Sequence, residues 1–200
     1  MTRTSTEALN SYVTDMMALE AHIGQALGGQ LSDLKETHPQ VAEVVSRAHA
    51  CTVRHIEQLE GLKVHTEAGI GAGIAEKVKR GVAAVVGIGA AAVDNVRGEA
   101  VPKALRDDFA AFSLAGVGYT MLHAVAVTVG SMPAAKLAHE CMREYAQLST
   151  AIRRLIPGTV VDMLKAEGLA GPEVYAEAIL DQHEAAWLRD ERVRVTALAS

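Results

Sequence analysis

GVGYTMLHAVAV, residues 116–127, is a run of small and apolar residues with one imidazole, His123, near its middle. It lies inside a longer stretch, Phe109 to Ala135, that contains no Asp, Glu, Lys or Arg. A helix that is apolar on every side is either a membrane span or a buried core element. The stretch exceeds the ~20 residues that a bilayer requires. It also carries Ser113, Tyr119, Thr120, His123, Thr128 and several glycines, and its N-terminal flank, Arg106-Asp107-Asp108, is not basic. It stands alone among amphipathic helices. The balance favours the central helix of a soluble bundle and argues against membrane association.

Outward from this segment, apolar residues recur three and four apart and period-2 alternation is scarce, so the class is all-α. Pro102 is read as opening the helix that holds the quoted segment, and the turn GSMP at 130–133 as closing it. Ser131 is a candidate N-cap for the next helix, with Pro133 in its first turn. The inner stripe of that helix is Leu137, Ala138, Cys141, Glu144, Tyr145, Leu148, Ile152 and Leu155, and Pro157-Gly158 is expected to end it. Near the N-terminus, Thr4 with Glu7 forms a capping-box pattern ahead of a stripe from Leu9 to Leu27. Thr37 with Gln40 repeats that pattern before a second stripe containing Val41, Val45, Ala48, Cys51, Thr52, His55 and Leu59.

These patterns predict a single domain over 1–200, with core helices at about 5–36, 38–64, 102–130 and 132–156. A connection over 65–101 is itself partly helical in pattern, with Ile70, Ile74, Val78, Val85, Ile88, Ala92 and Val96 on one face. Its small residues suit packing against the outer face of the third helix, at Val117, Met121 and Val125. Lys77, Lys79 and Arg80 raise the alternative of a lipid surface, but Trp and Phe anchors are missing. Short C-terminal helices are expected over 159–190. Two hairpins joined by one long crossover describe a four-helix bundle.

The 200 residues are half hydrophobic, enough for a sizeable core. A net charge of −5 and 4% aromatic residues argue against nucleic-acid binding. Two cysteines, Cys51 and Cys141, make no disulfide framework, and the N-terminal segment lacks the apolar run of a signal peptide, so the expected compartment is the cytoplasm. The apolar third helix and the Ala-rich crossover provide material for a homo-oligomer, a dimer first.

Several ionisable residues fall on or beside the inward stripes. Glu20 lies about 50° from the middle of the first stripe. His55 lies within the second, Glu144 within the fourth, and His123 is placed on a face with Gly116, Thr120 and Val127. Antiparallel hairpins bring Glu20 near His55 and His123 near Glu144, and a returning crossover brings the two pairs to one depth. Two carboxylates and two imidazoles in a core must hold each other, waters or a cation. The donor set suits iron, manganese or zinc. Thr52, Tyr119, Cys141 and His49 are secondary candidates; Cys51 and Cys141 read first as small core residues, and Tyr145 as a core ring. Haem between His55 and His123 has the right ligand type, but nothing in the sequence marks a cavity for a porphyrin.

YVTDMMALEAHIGQALGGQLSD and LRDDFAAFSLAGVGYTMLHAVAV, with this helix order, resemble an uncharacterised bacterial branch of the ferritin-like superfamily over residues 5–156. The resemblance implies a ferritin-like four-helix bundle with a long crossover between helices two and three. The family site uses one Glu from each of two helices and Glu-x-x-His from each of the other two. Glu20 matches the first Glu. The second-helix motif reads Thr52-Val53-Arg54-His55, keeping the His and losing the Glu, and the third carboxylate is replaced by His123, or by Tyr119 one turn earlier. Helix four offers no Glu-x-x-His. With bridging carboxylates missing, the expectation is one metal held by Glu20, His55, His123 and Glu144, serving metal handling or oxidative-stress defence. No residue is assigned a catalytic role. The contrasting expectation is a non-catalytic bundle whose polar layer fixes helix register while function resides in assembly.

Overall fold

The computed structural model describes residues 4–66, 100–171 and 175–186; the 65–101 connection therefore falls almost wholly outside the described residues. Most of the described residues are helical and none is in a strand. Four long helices, α1 (Ser5–Thr37), α2 (Pro39–Thr66), α3 (Ala100–Thr128) and α4 (Met132–Ala166), are followed by α5 at 176–186.

Residue pairing fixes the directions. On α1 and α2, Glu20 meets His55, and methyl groups on Gly24 and Gly28 would lie 3.0 Å from Thr52 Oγ1 and 3.3 Å from His49 Nε2. As one number rises the other falls, so the helices are antiparallel, and the two glycines allow their close approach. Gln30 pairs with Asp108 and Glu20 with Tyr119, so α3 is antiparallel to α1. Thr120 with Met142 and His123 with His139 make α4 antiparallel to α3. Each long helix packs against two others, α1 on α2 and α3, and α4 on α2 and α3. The diagonal helices α2 and α3 consequently run parallel. Between the four lies one core that includes Ile23, Leu27, Leu59, Phe112, Leu122 and Ile152.

The Thr4–Glu7 capping box forms as the spacing predicts: Glu7 N–H donates to Thr4 Oγ1 at 3.2 Å and Thr4 N–H to Glu7 Oε2 at 2.8 Å. The second expected box does not form. Thr37 ends α1 and its hydroxyl donates back to the Asp33 carbonyl at 2.8 Å, because one residue, His38, separates the two helices. Ser131 precedes α4 without a side-chain cap bond.

Two expected helix ends move. Helix α3 begins at Ala100, with Pro102 inside its first turn, where backbone N–H groups lack intrahelical acceptors in any case. Helix α4 runs through Pro157 to Ala166, so the separate helix expected from 159 is its continuation. Proline removes one i→i−4 bond, but burial of Pro157, Thr159 and Val161 holds the chain helical beyond it. Arg154 Nε donates to Glu184 Oε1 at 2.8 Å and ties α5 to α4.

Helix α3 is not enclosed on all sides among the described residues. Leu105, Phe112, Ala115, Tyr119, Leu122 and Ala126 face inward, whereas Leu114, Val117, Met121 and Val127 are exposed. By length and composition it could cross a membrane, and 28% of its most apolar window is buried.

Candidate metal centre

Midway along the bundle, α1, α2, α3 and α4 each send polar side chains into the core. Glu20 from α1 is fully buried. Its Oε1 accepts from the Tyr119 hydroxyl at 2.6 Å and from His55 Nδ1 at 2.8 Å, and its Oε2 from the Tyr145 hydroxyl at 2.5 Å. Three donors from three helices satisfy a carboxylate that water cannot reach.

His55, also fully buried, spans the layer. Its Nε2 lies 2.6 Å from Glu144 Oε2, so one ring nitrogen faces each carboxylate. Tyr119 and Tyr145 pack around the imidazole, with centroids at 5.7 and 5.4 Å. Burial alone would strip the ring of its proton. The Cys141 and Cys51 thiols and Glu20 outweigh that effect and push its pKa up to about 12, so the ring is an imidazolium at neutral pH. The same buried carboxylate raises both tyrosine hydroxyls: desolvation comes first and the Glu20 charge second, and the phenols stay neutral donors.

Glu144 forms the outer edge, with its side chain 38% exposed. The Cys51 thiol donates to its Oε2 at 3.1 Å and Arg54 Nη2 at 2.7 Å. Partial burial pushes this carboxyl up, but bonds from Cys51, His55 and Arg54 outweigh that and hold it at about 2. Arg54 Nη2 also lies 3.2 Å from Cys51 Sγ. One ligand atom each from Cys51, His55 and Glu144 lie within 4.8 Å of one another, so this cluster can hold a metal ion.

The expected set is therefore partly assembled and partly not. Glu20, His55 and Glu144 meet, but His123 does not join them. It is half-buried, one turn beyond Tyr119, with its ring 5.8 Å from that of His139. Its sequence partners Thr120 and Val127 are exposed, so the face assigned to it is an outer one. The reason is that α3 is apolar all round and its sequence marks no inner face. Tyr119 takes the inward position as a donor to Glu20. Thr52 is buried but bonds to the His49 carbonyl of its own helix at 2.8 Å, and His49 itself lies against Gly28. Cys141 is buried beside His55. Cys51 and Arg54 join the cluster although the sequence reading made neither a ligand or partner; the i, i+4 spacing of Cys51 and His55 on one stripe was the available signal.

Tyr145→Phe isolates one of these bonds, because the ring packing on Phe112 and Tyr119 is kept. A hydrogen bond to a charged, buried acceptor is worth about 1.5–3 kcal/mol. Urea unfolding at neutral pH is expected to show a loss of that size; an unchanged midpoint would place the hydroxyl outside the network.

No family model matches the chain, and no curated protein or solved structure is significantly similar to it. What the geometry defines, over the described residues, is a helical bundle with a Cys-His-Glu cluster, buried at Cys51 and His55 and open at Glu144, that is able to hold a metal ion.

Proposed function

We propose that this chain is a ferritin-like, metal-binding helical bundle that holds a single transition-metal ion through Cys51 Sγ, His55 Nε2 and Glu144. The observation that carries the reading is the placement of His55. One nitrogen faces a thiol and a carboxylate at the outer edge of the layer, while the other donates to Glu20. A ligating histidine whose second nitrogen is held by a carboxylate is the usual arrangement around protein-bound metals, since it fixes the ring and raises its basicity. Here Tyr119 and Tyr145 in turn fix Glu20. The order of directions, with every neighbouring pair antiparallel and α2 parallel to α3, is what two hairpins joined by one long crossover require.

Glu20 changes role relative to the sequence expectation. It holds the ligand histidine rather than the ion. The remaining donors are a thiolate, an imidazole and a carboxylate, a set suited to zinc or ferrous iron and poorly suited to calcium or magnesium. Three protein ligands leave a position for water or substrate, and Glu144 opens that side to solvent. Such an ion supplies Lewis-acid or redox chemistry, consistent with metal handling or oxidative-stress defence.

Elemental analysis of untagged protein and titration with Co2+ test the reading. Stoichiometric metal and a thiolate-to-cobalt charge-transfer band are expected, and Cys51→Ser or Glu144→Gln should each weaken binding about 100-fold or more. Metal-free protein with no such band at millimolar Co2+ would leave the second reading in possession. That reading is a structural layer fixing helix register, and the observation in its favour is that two carboxylates, one imidazolium and one guanidinium already balance in charge and hydrogen bonds.

A further inference from the structure

We propose that Arg54 is the specificity-determining residue of this site: its guanidinium stands where an arriving cation must bind, so only a cation that bonds sulfur and nitrogen strongly turns it out. The inference rests on the metal reading above. Arg54 Nη2 contacts two of the three ligand groups, Glu144 Oε2 at 2.7 Å and Cys51 Sγ at 3.2 Å. The third, His55 Nε2, is 2.6 Å from that same Glu144 oxygen.

A single carboxylate oxygen thus accepts from a thiol, an imidazole and a guanidinium. A metal taking that oxygen needs the space of its present donors. The thiol and the imidazole can stay as ligands, each releasing a proton to solvent. The guanidinium cannot be deprotonated and has no lone pair to offer, so it must leave or slide to the other carboxylate oxygen. It has room to do so, because the Arg54 side chain is 48% exposed.

Selection follows from what each ion gains on displacing this resident cation. Magnesium or calcium bonds oxygen and would gain one carboxylate, a group that Arg54 already neutralises with a charge-assisted hydrogen bond. Zinc or cobalt gains the carboxylate, the imidazole and the thiolate together. The same contact keeps the metal-free layer balanced rather than leaving an unpaired carboxylate at its edge.

The test compares Co2+ and Mg2+ binding to the full-length protein and to Arg54→Met, Arg54→Lys and Arg143→Met. Arg143, exposed and adjacent in sequence to Glu144, controls for the general loss of one positive charge. Arg54→Met is expected to bind Co2+ about tenfold tighter or more and to gain measurable Mg2+ binding, with Arg54→Lys intermediate and Arg143→Met within about twofold of the parent. Cobalt binding by Arg54→Met but not by the parent would mean that Arg54 bars cobalt as well as magnesium, and overturns both the metal reading and this inference. Co2+ binding by the parent without a gain in Arg54→Met, or an equal gain in Arg143→Met, overturns this inference alone. Absence of a thiolate–cobalt band in every variant overturns the metal reading and this inference with it.

Discussion

His55→Leu is expected to lower the stability of the bundle by about 3–5 kcal/mol, a large part of what holds an ordinary domain folded. The substitution removes the only group that carries positive charge to Glu20 within hydrogen-bond distance among the described residues, and it leaves that fully buried carboxylate with two tyrosine hydroxyls. It also strips one donor from Glu144. Breaking a buried ion pair from one side costs far more than the pair contributes, because the stranded charge keeps its desolvation penalty. A quadruple variant, Glu20→Met with His55→Leu, Tyr119→Phe and Tyr145→Phe, is therefore expected to recover most of the loss. The pH dependence has a definite sign. The His55 pKa is raised from 6.5 to about 12, so its contribution is complete below pH 6.5 and declines as the pH climbs from there toward 12. Chemical denaturation of the parent should show this alkaline decline, and His55→Leu should lack it. A single variant as stable as the parent, with the slope intact, would mean that the layer does not carry buried charge.

Asp108→Asn is expected to act in the opposite direction, raising stability by up to about 3 kcal/mol at pH 7.5. Asp108 is buried on α3 against α1, where its Oδ1 accepts from Gln30 Nε2 at 3.0 Å. Its Oδ2 and Gln30 Oε1 are both buried and meet no hydrogen-bond partner among the described residues. Two buried acceptors are thus left without a donor, and a proton on Oδ2 would relieve the charged one. Burial raises the Asp108 pKa from 3.8 to about 6; the Gln30 bond opposes this and the neighbouring Asp107 charge adds to it. A raised carboxyl pKa means that the folded state binds more protons between those two values, so stability is full below pH 3.8 and falls until about pH 6. About 1.4 kcal/mol per unit over roughly two units gives the stated size. Asparagine supplies an N–H to Gln30 Oε1 at every pH and removes that slope. The difference between the two proteins should vanish near pH 3.5 and open toward pH 6.5. A destabilised Asp108→Asn protein, or a pH-independent difference, would count against a protonated Asp108–Gln30 pair.

Sequence legibility tracks local contrast in hydrophobicity. On α1, α2 and α4, one face is apolar and the other charged, and Glu20, His55 and Glu144 could be placed in a common layer because helical periodicity and hairpin register fix both direction and depth. Thr4 and Glu7 form their box because both partners lie within one turn. Thr37 does not cap α2, since the spacing of the pattern could not reveal that α1 extends to that residue. Pro157 carries a breaking signal that packing overrides. The inner face of α3 is not legible for want of contrast: beyond Asp108 the helix is apolar all round, and a rotation of about 40° decides whether Tyr119 or His123 points inward.

The all-α class, the two hairpins and three members of the polar layer are legible from i, i+3 and i, i+4 spacing and from the turns between helices. That Tyr119 and Tyr145 hold Glu20, that His123 stays outside, and that Cys51 and Arg54 meet Glu144 comes from packing between helices. Those contacts depend on the relative rotation of helices about their own axes. That rotation is set by the fit of side chains across the whole interface, through close approaches such as Gly24 on Thr52, and not by any local run of residues.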